Sequence, residues 1–244
     1  MSKVSLLMSA KLAKEIVKAI ETTDEQAVFV FDKHGLFVRV SDPLHIRVVE
    51  IMVEADTFDE YSYDTDEEQI RLGVVISRLK DITKTLVKTD NLKLEFEVGT
   101  NRVLTWSDSL QRSIRLIRSE LMNDIPEISV SHLYDSVIDA KTLKPFLKAA
   151  NVKGGVVDVI TDDNFILCSE SDEGSVEITL TAEEVQLKPT DYVSMTTFSV
   201  EEIKRAASTA VGQIQIRGKQ DSPIEMRWNT EMGIKVKAWV ASKV

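Results

Sequence analysis

Few residues in this chain are of a kind that does covalent chemistry, and none stands in a pattern that would let it. The 244 residues include one cysteine, Cys168, and three histidines, His34, His45 and His132. The histidines are far apart and none belongs to a Ser/His/Asp arrangement. No Gly-rich phosphate loop, Cys-x-x-Cys or His-x-x-x-His motif occurs. Cys168 cannot form an internal disulfide, and in the apolar run Phe165-Ile166-Leu167-Cys168 it reads as a buried, inert thiol. His34 precedes Gly35 in what reads as a hairpin turn, a structural role. From Glu54 to Glu68 there are eight acids and no base. They lack ligand-like spacing and a Gly turn, so this run reads as a solvated connection and not as a metal site. Nothing singles out a carboxylate pair for glycoside hydrolysis. The expectation is a protein with no catalytic residue, metal or cofactor.

Positive charge, by contrast, is regularly spaced. Lys11, Lys14 and Lys18 fall three and four residues apart and share one helix face, away from Leu12, Ile16 and Ile20. Lys80, Lys84 and Lys88 repeat the pattern opposite Leu79, Ile82 and Leu86, with Arg78 nearby. Lys141, Lys144 and Lys148 do so a third time, and Lys204 and Arg205, beside the polar Ser208, form a weaker fourth. One basic stripe on an amphipathic helix is usually only a solvated face. Its recurrence at matching places asks for more. Side by side, such faces merge into a positive strip that suits phosphate backbones without reading sequence. Glu15, Asp81, Glu201 and Glu202 on the same helices make that contact loose, which suits sliding. The net charge of −10 does not oppose this, because the charge is unevenly spread: no lysine or arginine occurs between Lys153 and Lys188.

The elements that must position these residues are short and alternating. With 43% hydrophobic residues the chain has an ordinary globular composition, long enough for one large domain or two small ones. Apolar spacing predicts helices over Ser9–Glu21, Ser77–Val87, Ala140–Val152 and Ser199–Ala210. Pro145 argues that the third begins late, near Lys141 or Thr142. Alternation and β-branched content predict strands over Ala27–Phe31, Leu36–Val40, Ile46–Val53, Leu92–Val98, Arg102–Ser107 and Arg112–Arg118. In the second half they fall at Val156–Ile160, Phe165–Ser169, Ser175–Thr181, Gln213–Arg217, Ile224–Trp228 and Ile234–Val240. The order of elements repeats at an offset of roughly 130 residues, falling to roughly 122 after the second helix, where Trp106 pairs with Trp228. The reading is an α+β protein of two similar domains, 1–118 and 127–244, joined by a connector at 119–126. The connector residues Leu121, Met122, Ile125 and Pro126 are apolar for a linker; they either dock on the body or line a groove. No run approaches the ~18 apolar residues that span a bilayer. The N-terminal stretch Met1–Lys11 lacks a signal-peptide pattern, which points to an intracellular protein with no membrane partner.

The segment Val38-Arg39-Val40-Ser41-Asp42-Pro43-Leu44-His45-Ile46 resembles the Asp-x-x-His signature of the archaeal and eukaryotic DNA sliding clamps, the proliferating cell nuclear antigen (PCNA) family. Phe58-Asp59-Glu60-Tyr61, Leu72-Gly73-Val74, Ile125-Pro126-Glu127, Asp221-Ser222-Pro223-Ile224 and the terminal Ala241-Ser242-Lys243-Val244 continue the likeness in register over nearly the whole chain. The resemblance implies a DNA-clamp fold in a trimeric ring, helices lining the hole and sheets outside. It implies a processivity factor that encircles duplex DNA, with Lys11, Lys14, Lys18, Arg78, Lys80, Lys84, Lys141, Lys144, Lys148, Lys204 and Arg205 facing it. It also implies a pocket for short peptides of DNA polymerase, clamp loader, flap endonuclease and DNA ligase. By position that pocket takes Ser41, His45, Ile46, Val48, Met122, Ile125, Pro126, Pro223, Ala241 and Ser242. Subunits would join through Ser109, Arg112, Ile114 and Leu116 of one chain and Ser175, Glu177 and Thr179 of the next, by edge-strand addition. Ser242 replaces the family's usual proline, and Asp81 and Ser208 stand where basic residues are common. The connector is shorter and more charged than usual. These departures fit a divergent homotrimer or a specialised subunit of a heterotrimeric or checkpoint-type clamp. The implied location is cytoplasmic in an archaeon and nuclear in a eukaryote.

Overall fold

The computed structural model describes residues 3–107, 110–150, 155–172, 174–187 and 193–243. Its strands are β1 (Lys3–Ser9), β2 (Gln26–Asp32), β3 (Gly35–Ser41), β4 (Arg47–Glu54), β5 (Glu60–Asp64), β6 (Ile70–Val75), β7 (Asn91–Glu97), β8 (Arg102–Ser107) and β9 (Leu110–Arg115) in the first half. The second half holds β10 (Tyr134–Asp139), β11 (Val156–Thr161), β12 (Asn164–Ser171), β13 (Gly174–Thr181), β14 (Ser194–Ser199), β15 (Gln213–Gly218), β16 (Ile224–Asn229) and β17 (Lys235–Val240). The helices are α1 (Ala10–Ile20), α2 (Ile76–Thr85), α3 (Ala140–Ala149) and α4 (Val200–Ala206). No helix among the described residues is long and apolar enough to cross a membrane.

Two compact units emerge. Unit one comprises residues 1–41, 49–125 and 230–236; unit two comprises 42–48, 126–229 and 237–244. In unit one a sheet of order β5-β1-β7-β8-β9 and the run β6-β2-β3-β4 enclose a core with α1 and α2. The alternation of β1 puts Val4, Leu6 and Met8 inward against Ala13, Ile16 and Val17 of α1. Burying each such aliphatic side chain is worth about 1.5–3 kcal/mol. Unit two has the sheet β13-β12-β11-β14, the run β10-β15-β16-β17, and helices α3 and α4, and Phe165, Phe198, Ile214 and Met226 are among its buried residues.

The repeat is fuller than the sequence suggests. Each helix is fed directly by a strand, and the feeding strands β1, β6, β10 and β14 escape notice because the apolar period changes from two to 3.6 without a break. Ser9, Asp139 and Ser199 mark the change for three of them, accepting from the backbone N–H of Leu12, Lys141 and Glu202 as N-caps. The acidic run is not wholly a loop: it contains β5, an edge strand whose Glu60 and Asp64 face solvent. The strand expected over Arg112–Arg118 is shifted to Leu110–Arg115.

Two further expectations are overturned. The third helix does not start late; it begins at Ala140, capped by Asp139, and carries Pro145 in its interior. Pro145 is exposed, so the bond it cannot donate is lost on the solvent side, while Leu143, Phe146 and Leu147 stay buried. The pairing of Trp106 with Trp228 also fails. Leu94 opposes Thr105, whereas its counterpart Ile216 opposes Met226, so the true offset there is one residue less. That slip puts Trp106 on the outer face of its sheet and Trp228, buried, on the inner face.

Candidate nucleic-acid and partner interfaces

The lysine faces form as spacing predicts, but their charges are unequally available. On α1, Lys11, Lys14 and Lys18 are exposed, opposite buried Leu12, Ile16 and Ile20. The Lys11 ammonium lies 2.7 Å from Glu231, which raises its pKa and lowers that of Glu231. Lys14 donates to the Leu86 carbonyl at 2.6 Å, tying α1 to the end of α2, against which it packs. Lys18 makes no ion pair among the described residues. On α2, Lys80 reaches Glu21 at 2.8 Å, Lys84 lies 3.8 Å from Asp81, and Arg78 donates to the Arg115 carbonyl at 3.1 Å.

In unit two α3 packs against α4. Lys141, Lys144 and Lys148 are exposed along α3, and Lys144 donates to the Ser208 carbonyl at 3.3 Å. On α4, Lys204 is exposed, but Arg205 is held by both Glu201 and Glu202. Glu202 in turn pairs with Arg47 at the start of β4, which is 1% exposed. Burial pushes the Arg47 guanidinium's pKa down, and the charges of Glu202 and Asp42 resist that shift. The sequence gives no warning of this pair, because its members stand 155 residues apart.

The Asp-x-x-His segment is a tight turn built by its aspartate. The Asp42 carboxylate accepts from the backbone N–H of Leu44 and of Arg47, and the turn closes with His45 N–H donating to the Asp42 carbonyl and Asp42 N–H to the Arg47 carbonyl. His45 adopts a φ of 55°, a left-handed conformation uncommon outside glycine. The turn leaves Leu44, His45 and Ile46 exposed while Val48 is buried. Ala241 N–H donates to the Ile46 carbonyl at 2.8 Å, so the turn and the chain's terminal segment, with half-exposed Ala241 and Ser242, are joined. Pro223 is half-exposed after a second left-handed residue, Asp221, whose N–H donates to Thr196 Oγ1 at 3.2 Å. Pro126 is exposed.

Of the residues expected at the partner site, those in unit one are covered to different degrees: Ser41 is buried and Met122 and Ile125 are half-buried. The Ile125 carbonyl accepts from Arg39 at 3.3 Å, and Arg39 pairs with Glu50 at 2.7 Å. The connector therefore docks on the body, and one residue explains how. A Cβ at Gly73 would sit 2.6 Å from the Ile117 carbonyl oxygen and 2.9 Å from the Met122 sulfur. Only glycine on β6 lets the chain approach so closely. Leu121 stays 76% exposed. Gly35 has a similar role in the β2–β3 hairpin, at φ 139° and with no room for a Cβ beneath Val53. Tyr61, stacked on Phe58, sets its hydroxyl 2.6 Å and 2.9 Å from the carbonyls of Asp32 and Gly35 and fixes that hairpin.

Both strands expected at the subunit contact lie at sheet edges: β9 ends one sheet of unit one and β13 one sheet of unit two. Ile114 points inward and is buried, Arg112 is half-buried, and Leu116 falls just past the strand, its N–H on the Asn101 carbonyl at 2.9 Å. Ser175, Glu177 and Thr179 form the exposed row of β13. Ser109 lies outside the described residues.

Cys168 is half-buried, less covered than expected. Burial and the nearby Glu170, Glu177 and Asp158 push its thiol pKa up, so it is a poor nucleophile. Sequence reasoning also missed a cluster around Glu225, which is 2% exposed. Its carboxylate bonds Arg227, accepts from Trp239 Nε1 at 3.0 Å, and lies 3.4 Å from Arg217 and 3.5 Å from His132. Burial works against ionisation there, but Arg227, His132 and Arg217 outweigh it and hold the pKa below the usual value. No group of three His, Cys, Asp or Glu among the described residues could hold a metal.

Comparison with known proteins gives one consistent answer. The model of the proliferating cell nuclear antigen N-terminal domain matches residues 4–125. The DNA polymerase sliding clamp 1 of Aeropyrum pernix is 25% identical over 235 residues, covering 93% of this chain and 94% of its own length. The DNA polymerase sliding clamp of Nitrosopumilus maritimus is 27% identical over 245 residues, covering 95% and 94%. Among solved structures, A. fulgidus PCNA bound to the C-terminal region of FEN-1 superposes with a TM-score of 0.87 at 21% identity, covering 99% of this chain and 98% of its own. The PCNA2–PCNA3 complex of Sulfolobus tokodaii gives 0.81 at 18% identity, covering 98% and 99%.

Proposed function

The chain belongs to the proliferating cell nuclear antigen family, and from that premise we propose that it is a DNA polymerase sliding clamp, a binding protein and not an enzyme. In this reading it is one subunit of a trimeric ring that encircles duplex DNA and tethers replication and repair enzymes to it. The observation that carries the reading is the repeated basic face: exposed cations line all four helices of a net-negative chain, at matching places in its duplicated halves. Such a surface attracts phosphate without reading bases. We divide the chain into clamp domains 1–118 and 127–244 with a connector at 119–126.

We assign partner-peptide binding to the Asp42 turn and terminal segment, with His45, Ile46, Val48, Pro126, Pro223, Ala241 and Ser242. Ser41, Met122 and Ile125 are the connector-side residues of the same assignment. DNA polymerase, clamp loader, flap endonuclease and DNA ligase are the partners proposed. A protein acting on the genome works where the genome is, in the cytoplasm of an archaeon or the nucleus of a eukaryote.

The experiment is topological. The chain, placed by a clamp loader on nicked circular DNA, is expected to stay through gel filtration and to leave once the circle is cut. Equal loss from circular and linear DNA would show that it does not encircle its substrate.

A further inference from the structure

Buried Glu225 joins the stretch that follows the connector to the strand that precedes the terminal segment, and we propose that it is a positioning residue for the partner-peptide site, with His132 as a latch that acid opens. The inference rests on the partner-site reading above and adds the regulation of that site.

The cluster is built by the sheet. Asp135 of β10 stands opposite Arg217 of β15, and Arg217 opposite Glu225 of β16, so the three side chains form one row of alternating charge. Arg217 lies 3.7 Å from Asp135 and 3.4 Å from Glu225, and Arg227 bonds the same glutamate. In the next strand, β17, buried Trp239 donates Nε1–H to Glu225 at 3.0 Å. Just beyond Trp239, Ala241 N–H holds the Ile46 carbonyl of the Asp42 turn. From the other side, His132 Nε2 lies 3.5 Å from the Glu225 carboxylate. Its neighbours are fixed as well: Leu133 N–H donates to the Gly218 carbonyl at 2.8 Å, and Lys219 to Ser131 Oγ at 3.0 Å. One carboxylate thus ties the terminal segment and the stretch after Pro126 to a single point.

His132 suits a latch because the charges around it are already balanced. Those facing it are Asp135 from β10, Arg217 from β15, and Glu225 and Arg227 from β16, two acids and two bases. Its Nε2–H can donate to Glu225, whereas Nδ1 is buried with no hydrogen-bond partner among the described residues. A proton on Nδ1 would add a buried charge with nothing to accept it. Burial pushes the His132 pKa down, Arg217 and Arg227 add to that, and Glu225 and Asp135 oppose it. The docked arrangement therefore binds fewer protons than a released one. Its stability is present above the ordinary histidine value and is lost progressively as pH falls from there to the lowered one. Acid should free the stretch after Pro126 and loosen one wall of the site.

Fluorescence anisotropy with a labelled peptide of the FEN-1 C-terminal region tests this, with circular dichroism as the folding control. Wild-type affinity should fall at least about threefold from about pH 7.5 to about pH 5.5. H132Q keeps an N–H donor for Glu225 but takes up no proton. It should bind like the wild type at the higher pH and lose most of the fall. E225Q keeps an acceptor for Trp239 but strands Arg217 and Arg227, and should bind at least about fivefold more weakly at the higher pH. Its amide exchange should rise in residues 126–133 and 241–243 together. If E225Q does not fold, the pH profiles of the wild type and H132Q decide.

A wild-type affinity that ignores pH, or a fall that H132Q leaves intact, overturns the proposal. So does a folded E225Q that binds normally or loosens only one of the two segments. Each of these leaves the partner site in place. A folded wild-type chain that binds no peptide at either pH overturns the partner-site reading, and this inference with it.

Discussion

Helices α2 and α4 hold equivalent places in the two halves, each fed by a strand and followed by three more, yet their charges are held differently. The ten-residue α2 follows Val75, which offers no side-chain cap, and its Lys84 has only Asp81, at 3.8 Å on the exposed surface. The seven-residue α4 is capped by Ser199 and opens with Glu201 and Glu202, where carboxylates favour the positive end of the helix dipole. Those acids then take up Arg205 and the buried Arg47. The lesson is that α2 leaves Lys84 beside one distant, exposed carboxylate, while α4 holds Arg205 between two acids of its own, one of which also pairs with the buried Arg47. Counting lysines and arginines along the sequence marks the fourth helix as weaker but does not reveal which of its charges are already paired.

The comparison breaks most visibly at Glu202. Glu202→Ala takes one of the supporting carboxylates from the buried Arg47 guanidinium and leaves Asp42 beside it, so the cost is expected to reach at most the about 3–5 kcal/mol of a broken buried pair. The helix-α2 control, Asp81→Ala, removes an exposed contact and should change stability by less than about 0.5 kcal/mol. Urea unfolding of both variants against the wild type measures the difference. Similar midpoints for the two would mean that Arg47 finds another partner and that α4 is not anchored through this pair.

The next largest effect concerns how α4 begins. Ser199 Oγ accepts from Glu202 N–H at 3.5 Å, a long bond beside the 2.7 Å one that Asp139 makes on α3. Ser199→Ala should therefore cost about 0.5–1 kcal/mol, the low end for a lost cap. Val75→Ala at the same place on α2 removes no cap. If thermal unfolding shows Ser199→Ala to be neutral, the short α4 is held by its packing and the Arg47 pair alone.

How far these differences could be read in the sequence follows from how local they are. The four helices, most strands and the lysine faces are legible because spacing along the chain dictates them. Clear acid and base segregation also marks the β13 edge, in the long stretch without lysine or arginine. The turn at Asp42 is recognisable as a motif, but its mechanism, one carboxylate accepting from two backbone N–H groups, is visible only in three dimensions. The pairs Arg47–Glu202, Lys11–Glu231 and Arg39–Glu50, and the Glu225 cluster, join residues from separate strands, helices and turns, and no period or motif records them. Strand β5 hides because its outward acids make an edge strand look like a solvated loop. The tryptophan pairing fails for a related reason: a one-residue change in a hairpin is trivial in sequence but reverses every side chain of a strand.

The smallest effect is also the one that bears most directly on DNA. Lys84 and Arg205 are both exposed cations on equivalent helices. Only Lys84 is without a close carboxylate, since Arg205 lies between Glu201 and Glu202. A cation that neutralises a phosphate releases a counterion, and each such contact steepens the salt dependence of binding by about 0.9 in log–log slope. Lys84→Gln should therefore flatten the salt dependence of affinity for a short duplex by about 0.9. Arg205→Gln should leave that slope nearly unchanged, because its charge is already matched within the helix. An Arg205 variant that flattens the slope as much as the Lys84 variant would mean that phosphate displaces Glu201 and Glu202. The second half's charges would then be a reserve that DNA draws on, and α2 and α4 would differ only while the ring is empty.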